Sequence, residues 1–186
     1  MSKLIAVLNM TIDGICDHTT GIPDSELHMH YTELLSRGDA ILYGRITFEL
    51  MKYWQTFLEK PSKDKSMNEF ALAIDSIPKI VFSHTLDDLG WASASLTKDS
   101  LENTVIELKQ QSEKHIFVGS RSLIIQLLEL KLIDEFQLCV HPMVEGGGLK
   151  LFENMNQRIM FDLTGTETFK NGAIILYYQP KDMAKK

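Results

Sequence analysis

The sequence predicts an α/β domain with a mostly parallel central sheet, helices flanking it, and antiparallel strands at the C-terminal end. Three observations carry this expectation. Apolar runs alternate with segments of helical periodicity through the first two-thirds of the chain, the pattern of strand–helix–strand units. The runs "KLIAVLNM", "AILY", "KIVF" and "HIFV" are nearly continuous, as in strands covered on both faces. The last third turns to three strand-like segments, the final two joined by the hairpin signal "KNG".

In order, the first strand covers residues 3–10 and is closed by Thr11, Asp13 and Gly14. Asp24 is placed to cap a helix with Leu27, Tyr31, Leu34 and Leu35 on its apolar face, ended by "SRGD". The strand 40–43 runs into one helix through "ITFELMKYWQTFL", residues 46–58. "EKPSKDKS" is charged and contains proline, so it reads as a surface loop. A helix over 67–75 leads to the strand 79–83, and a further short strand is expected around Trp91. Asp99 with Glu102 three residues on forms a capping-box pattern before Leu101, Val105 and Leu108 at helical spacing. The strand 115–118 and a helix over 122–132 follow, then strand-like segments within 134–144, 158–169 and 173–179. Residues 1–180 read as a single domain and 181–186 as a short polar tail.

Composition narrows the functional classes. At 186 residues, with 44% hydrophobic and 24% charged side chains, the chain can bury a core without disulfides or metal. A net charge of −6 argues against a nucleic-acid-binding face, which needs a basic stripe. Lys3 precedes an apolar run only a strand long with no small-residue cleavage site, so no leader is read there. No run is long enough to span a bilayer, and the protein is expected to be cytoplasmic and without a membrane partner. Cys16 and Cys139 form no CxxC, and His28 and His30 stand two apart on a helix and so point away from each other. No metal site is expected.

Two strand–glycine–helix junctions draw attention. Gly44 ends "AILY" and is followed by Arg45; Gly119 ends "HIFV" and is followed by Ser120 and Arg121. In a parallel sheet the loops after the strands share one edge, where ligands bind. A helix starting there presents unpaired N–H groups to an anion, and glycine lets a ligand approach the backbone. Two such cradles suit the two ends of a dinucleotide. A third loop, Ser83, His84 and Thr85, offers hydroxyls and an imidazole to phosphate or ribose. The bland alternative is tight strand–helix packing with both arginines in surface ion pairs. Neither the G-x-G-x-x-G fingerprint nor a G-K-[ST] phosphate loop is present.

"GRITFE" resembles the G-R-x-T-[YF]-E motif of the dihydrofolate-reductase-like family, and "LIDEFQLCVHPMVEGGGLKLF" resembles its L-[VI]-D-E-…-P-…-G-x-G-…-L-F ending. The likeness covers nearly the whole chain. It is strongest to stand-alone proteins related to the reductase domain of the bifunctional riboflavin-biosynthesis deaminase–reductase. The resemblance implies a dihydrofolate-reductase-like fold, NADPH as cofactor, a small heterocyclic substrate of pterin or aminouracil type, and a homodimer. It implies Gly44, Arg45 and Thr47 at the cofactor phosphates, with Arg45 a planar, permanently charged partner for the 2′-phosphate. Ser83, His84 and Thr85 would lie at the adenosine end, and Gly119, Ser120, Arg121, Ser122 and Leu123 about the pyrophosphate. Two positions depart from the family pattern: Ser120 stands where a second glycine is usual, and His84 where arginine is usual. Both bear on the preference for NADPH over NADH.

Hydride transfer needs a group that orients the substrate or supplies a proton. Asp13 in "TIDG" is the first candidate through the resemblance, ahead of Asp24, Glu26 and Glu33. An Asp-Gly pair is equally a common turn. "EGGG" (145–148) reads as a tight turn that the resemblance places near the site's rim, His141 as structural, and Trp54 as a core or interface aromatic. The riboflavin-pathway precedent, 5-amino-6-(5-phosphoribosylamino)uracil reduction, uses a substrate bearing ribose phosphate. The loop "TIDGICDHTTG" has no basic residue to meet it, and the chain lacks the deaminase zinc motif. A second reading is a non-catalytic, dimeric nucleotide-binding relative of the same fold.

Overall fold

β1 (Leu4–Thr11) lies inside an eight-stranded sheet, paired in parallel with β5 (His115–Val118) on one side and β6 (Glu135–His141) on the other. The structure, a computed structural model, describes residues 2–153, 155 and 157–181. Beyond β5 come β2 (Gly38–Gly44), β3 (Lys79–Phe82) and β4 (Ala94–Thr97), all parallel. Beyond β6 come β8 (Ile174–Pro180) and the edge strand β7 (Phe161–Thr168), with β8 antiparallel to both neighbours. The order is β4-β3-β2-β5-β1-β6-β8-β7. This is the expected mostly parallel sheet with an antiparallel finish. The tail expected from 181 lies, after Lys181, outside the described residues.

Strand alternation sends successive side chains to two separate cores. Leu42, Ile116 and Val118 pack beneath α5 (Leu101–Gln111) and α6 (Arg121–Glu129), around Val105, Ile124 and Leu127. Ile41, Tyr43 and Phe117 pack on the opposite face. There they meet Leu35 of α1 (Ser25–Ser36), Phe48 of α2 (Arg45–Met51) and Ile74 of α4 (Lys65–Ser76). Coverage of both faces explains the unbroken apolar runs.

Local chemistry sets the helix ends, and three expectations are corrected there. Asp24 caps α1 as expected, its carboxylate accepting from the Leu27 amide at 3.0 Å. α5 is capped instead by Ser100, which accepts from the Asn103 amide at 3.1 Å. Asp99 is drawn back to Thr97, whose hydroxyl accepts from its amide at 3.1 Å. The long helix expected over 46–58 is α2, a 3₁₀ turn (Lys52–Gln55) and α3 (Thr56–Glu59). Trp54, on the tighter turn, meets Phe70 of α4 edge to face, with centroids 4.6 Å apart. Trp91 precedes β4 rather than lying in it; it is buried, and its indole N–H donates to Asp75 at 2.7 Å.

Lys79 opens β3 and is fully buried. Its ammonium donates to the Ile77 carbonyl at 2.8 Å, the Ser93 hydroxyl at 2.8 Å and the Asp75 carbonyl at 3.2 Å. It also sits 4.1 Å from the centre of the Trp91 ring. One cation thus ties the end of α4 and the β3–β4 connection together.

Candidate active site

Parallel pairing from β4 to β6 brings the strand ends Thr11, Gly44, Phe82, Thr97, Val118 and His141 to one edge of the sheet. Since β2 and β5 are neighbours, the two glycine junctions stand side by side. The Gly44 amide donates to the Ser120 hydroxyl at 2.8 Å, and Ser120 is 1% exposed. That hydroxyl is the natural N-cap of α6, yet it makes no cap bond. The first backbone bond of α6 is Ile124 N–H to Ser120 C=O at 2.9 Å. The preceding amides of Ser122 and Leu123 have no partner among the described residues.

Those amides belong to residues lining a first cleft of about 600 Å³. Its walls include Gly44, Arg45, Thr47, Ser83, His84, Lys98, Ser122 and Leu123. Arg45 is exposed and, among the described residues, paired only with Glu49 at 3.1 Å. Lys98, on the β4–α5 connection, adds a second cation that no motif announced. Ser83 is buried and caps its own turn, its hydroxyl accepting from the Thr85 and Leu86 amides at 3.1 Å each. Thr85 supports that turn without lining the cleft. Seven of the eleven residues expected about a cofactor line the first cleft; Ser120 lies behind it, bonded to Gly44, and Gly119 lines the second cleft. Arg121 and Thr85 are turned to other work.

A second cleft of about 400 Å³ opens on the α1, α2 and α4 face, and Thr47 lines both. Its wall is chiefly apolar and aromatic, with Leu35, Tyr43, Met51, Trp54, Phe70 and Phe117 among the lining residues. Gly119 lies at its sheet end. Arg121 lines it too, but its Nε donates to the carbonyls of Lys150 and Leu151 at 2.6 and 3.1 Å, and Nη2 to that of Glu153 at 3.3 Å.

The polar groups of this cleft were mostly missed by sequence reasoning. Asn9 accepts from Tyr31 at 2.9 Å and from His141 Nε2 at 3.1 Å. His141 Nδ1 accepts from the Ile22 amide at 3.2 Å, which places the ring proton on Nε2. His141, expected to be structural, therefore lines the cleft and holds the loop that covers it. The Ile22 carbonyl is gripped in turn by the Asn171 amide at 2.8 Å. His28 is buried, with Nδ1 3.4 Å from the Ser66 hydroxyl, which itself donates to Asp64 at 2.7 Å. Burial pushes the pKa of both His28 and His141 below the usual imidazole value, so both are neutral at pH 7.

The carboxylates weighed from the sequence, Asp13, Asp24, Glu26 and Glu33, lie outside both clefts. Asp13 lines neither cleft. It accepts from the Thr11 hydroxyl at 2.5 Å and from the amides of Gly146 and Glu145 at 2.8 and 3.2 Å, tying the "TIDG" turn to the "EGGG" turn. The Thr11 hydroxyl, with the Gly146 amide next, holds its pKa down to about 2. Asp24 is spent on its cap, and Glu26 accepts from the Lys170 amide at 3.1 Å. Of the acids, Asp17 alone lines the second cleft among the described residues. Asp13→Asn is expected to leave a pH–activity profile unchanged above pH 5. Because its folded pKa is lowered, any stability from Asp13 is present above 3.8 and lost as pH falls towards about 2. A profile whose acid limb moves in the variant would return Asp13 to the chemistry.

The sheet order and the paired clefts define an α/β domain of dihydrofolate-reductase-like architecture. The chain belongs to the RibD C-terminal domain family, whose model matches residues 2–175. It is 33% identical over 180 residues to the uncharacterized protein YyaP of Bacillus subtilis (strain 168), covering 95% of this chain and 94% of that one. A putative riboflavin biosynthesis protein from Shewanella sp. PV-4 matches with a TM-score of 0.73 at 19% identity, over 96% of this chain and 99% of that one. Dihydrofolate reductase from Enterococcus faecalis, complexed with NADP(H), matches with a TM-score of 0.62 at 12% identity, over 97% of each chain. The family supports an oxidoreductase of reductase type. No helix among the described residues is long and apolar enough to cross a membrane.

Proposed function

We propose that the protein is an NADPH-dependent reductase of a small heterocyclic substrate, with the first cleft holding the cofactor and the second the substrate. The observation that carries this reading is the diverted cap. Ser120 spends its hydroxyl on Gly44, so the first amides of α6 stay open beside a glycine and two cations. An anion there satisfies backbone donors that otherwise face only water. A Cβ on Gly44 would point at the hydroxyls of Ser122 and Ser120, 3.5 and 3.8 Å away, and so into the space such an anion needs.

In this reading Arg45 and Lys98 meet the 2′-phosphate, the α6 amides and Ser122 the pyrophosphate, and His84 the adenosine end. When bound, the cofactor supplies a hydride to an electron-poor ring carbon. At a C=N bond the π pair goes to nitrogen, which takes a proton from water or a cleft hydroxyl. Thr47, which lines both clefts, and Gly119 at the sheet end of the second would position the two rings, and the aromatic wall would exclude solvent.

Thermal unfolding with cofactor tests the assignment. NADPH at a hundred times its Kd adds about 2.7 kcal/mol, which raises Tm by roughly 5–10 °C in a domain of this size. NADPH is expected to stabilise more than NADH, and Arg45→Ala to remove most of the difference. Arg45→Ala gives up only an exposed pair with Glu49, so its unliganded Tm stays near wild type. Absence of any shift at millimolar NADPH would refute the reading.

A further inference from the structure

We propose that Tyr43 and His28 read the edge of a neutral, flat heterocycle in the second cleft, and that the cleft excludes rings carrying a phosphate ester. This rests on the reductase reading for its view of that cleft as the substrate's.

Tyr43 is 2% exposed and lines the cleft beside Gly119, whose added Cβ would stand 3.3 Å from its ring. Its hydroxyl makes no hydrogen bond with any described residue, and it is not among the fully enclosed polar atoms lacking partners. Its remaining exposure is therefore into the cleft. A buried hydroxyl with no partner is costly to keep unless something else satisfies it. Burial also raises its pKa, so it stays protonated as a donor.

His28 supplies the complement. The Ser66 proton goes to Asp64, so His28 Nδ1–H donates to Ser66 and Nε2 is left as an acceptor. Nε2 has no partner among the described residues and is likewise not enclosed. Trp54 and Phe70 flank the ring at centroid distances of 5.7 and 6.1 Å. Tyr43 and His28 thus add one donor and one acceptor to the aromatic lining of the cleft. Together they complement a ring with a carbonyl or imine acceptor and an N–H donor, as in a lactam or amidine.

The charges argue against a phosphate. Among the described lining residues, Arg121 is the only permanent cation, and its Nε and Nη2 are turned to three backbone carbonyls. Asp17, paired with His18 at 2.8 Å, stands at the same cleft with the opposite sign. A phosphate ester placed there leaves water beside a carboxylate, with the one cation already committed in part to backbone.

Fluorescence titration of the purified full chain, without cofactor, with 6-hydroxymethylpterin and with its monophosphate ester tests the proposal. The free pterin is expected to bind and be quenched by the aromatic wall, and the ester to bind at least tenfold more weakly. Tyr43→Phe and His28→Phe are each expected to weaken the free pterin by about five- to tenfold, the loss of one hydrogen bond. The unliganded Tm of Tyr43→Phe should match or exceed wild type, since no protein partner is lost. Equal affinity for the ester, unaltered affinity in Tyr43→Phe, or no binding of the free pterin overturns the proposal. The NADPH-induced Tm shift, run on the same samples, reports separately on the reductase reading.

Discussion

Gly44→Ala is expected to leave the unliganded protein at its wild-type melting temperature while weakening NADPH binding by about five- to 150-fold, the effect of 1–3 kcal/mol of overpacking. Gly44 has φ −78 and ψ 163, which any residue adopts. Its added Cβ would meet Ser122 Oγ, Ser120 Oγ and Leu123 Cγ at 3.5 to 4.0 Å, ordinary van der Waals separations. Nothing in the folded chain requires glycine there; under the proposed function, the requirement would come from a ligand pressed against the backbone. Gly38 provides the contrast, because a Cβ there would run into the buried Phe117 ring and come within 3.0 Å of Ile77 Cδ1. Gly38→Ala therefore belongs with packing variants and is expected to lower Tm without cofactor. Cofactor fluorescence and unliganded unfolding together separate the two glycines. Unchanged NADPH affinity in Gly44→Ala would remove the cradle from the account.

Lys79→Ala is expected to lower stability by about 3–5 kcal/mol, a fall in Tm of roughly 10 °C. The substitution strands the Ile77 carbonyl, removes the cation from Trp91 and leaves a cavity the length of the lysine stem. Lys79→Met keeps the stem and isolates the polar contribution. Desolvation pushes the folded pKa of Lys79 down to about 8 from 10.5, with Asp75 opposing. The unfolded chain then binds more protons between those values, so wild-type stability from this group rises as pH passes from 8 towards 10.5. Wild-type stability relative to Lys79→Met should rise by about 2 kcal/mol from pH 7 to pH 9.5. A relative stability that is constant or falls over that range contradicts a charged, buried Lys79.

The strands were legible because a buried parallel strand writes itself as an unbroken apolar run, and the two glycine junctions because glycine interrupts such a run at its end. The first cleft was readable for the same reason: most of its residues follow strand ends directly. Lys98 escaped notice because a lone lysine on a connection has no pattern, and only the neighbouring positions of β3 and β4 bring it to Arg45's cleft. Tyr43, His28, Asn9 and His141 escaped because each sits in an element whose apolar periodicity marks it as core. Their polar atoms matter only once three elements have converged. Asp13 drew attention through its turn; a carboxylate that accepts from the amides of Glu145 and Gly146 serves the loops themselves.

The grip on Ile22 has a consequence for the C-terminal hairpin. His141 closes the loop from the sheet side and Asn171 from the turn between β7 and β8, so the doorway of the apolar cleft is hung on a segment more than a hundred residues downstream. The final two strands therefore act as the frame of that doorway, and loosening the turn at Asn171 would be felt first by whatever enters beside Tyr43.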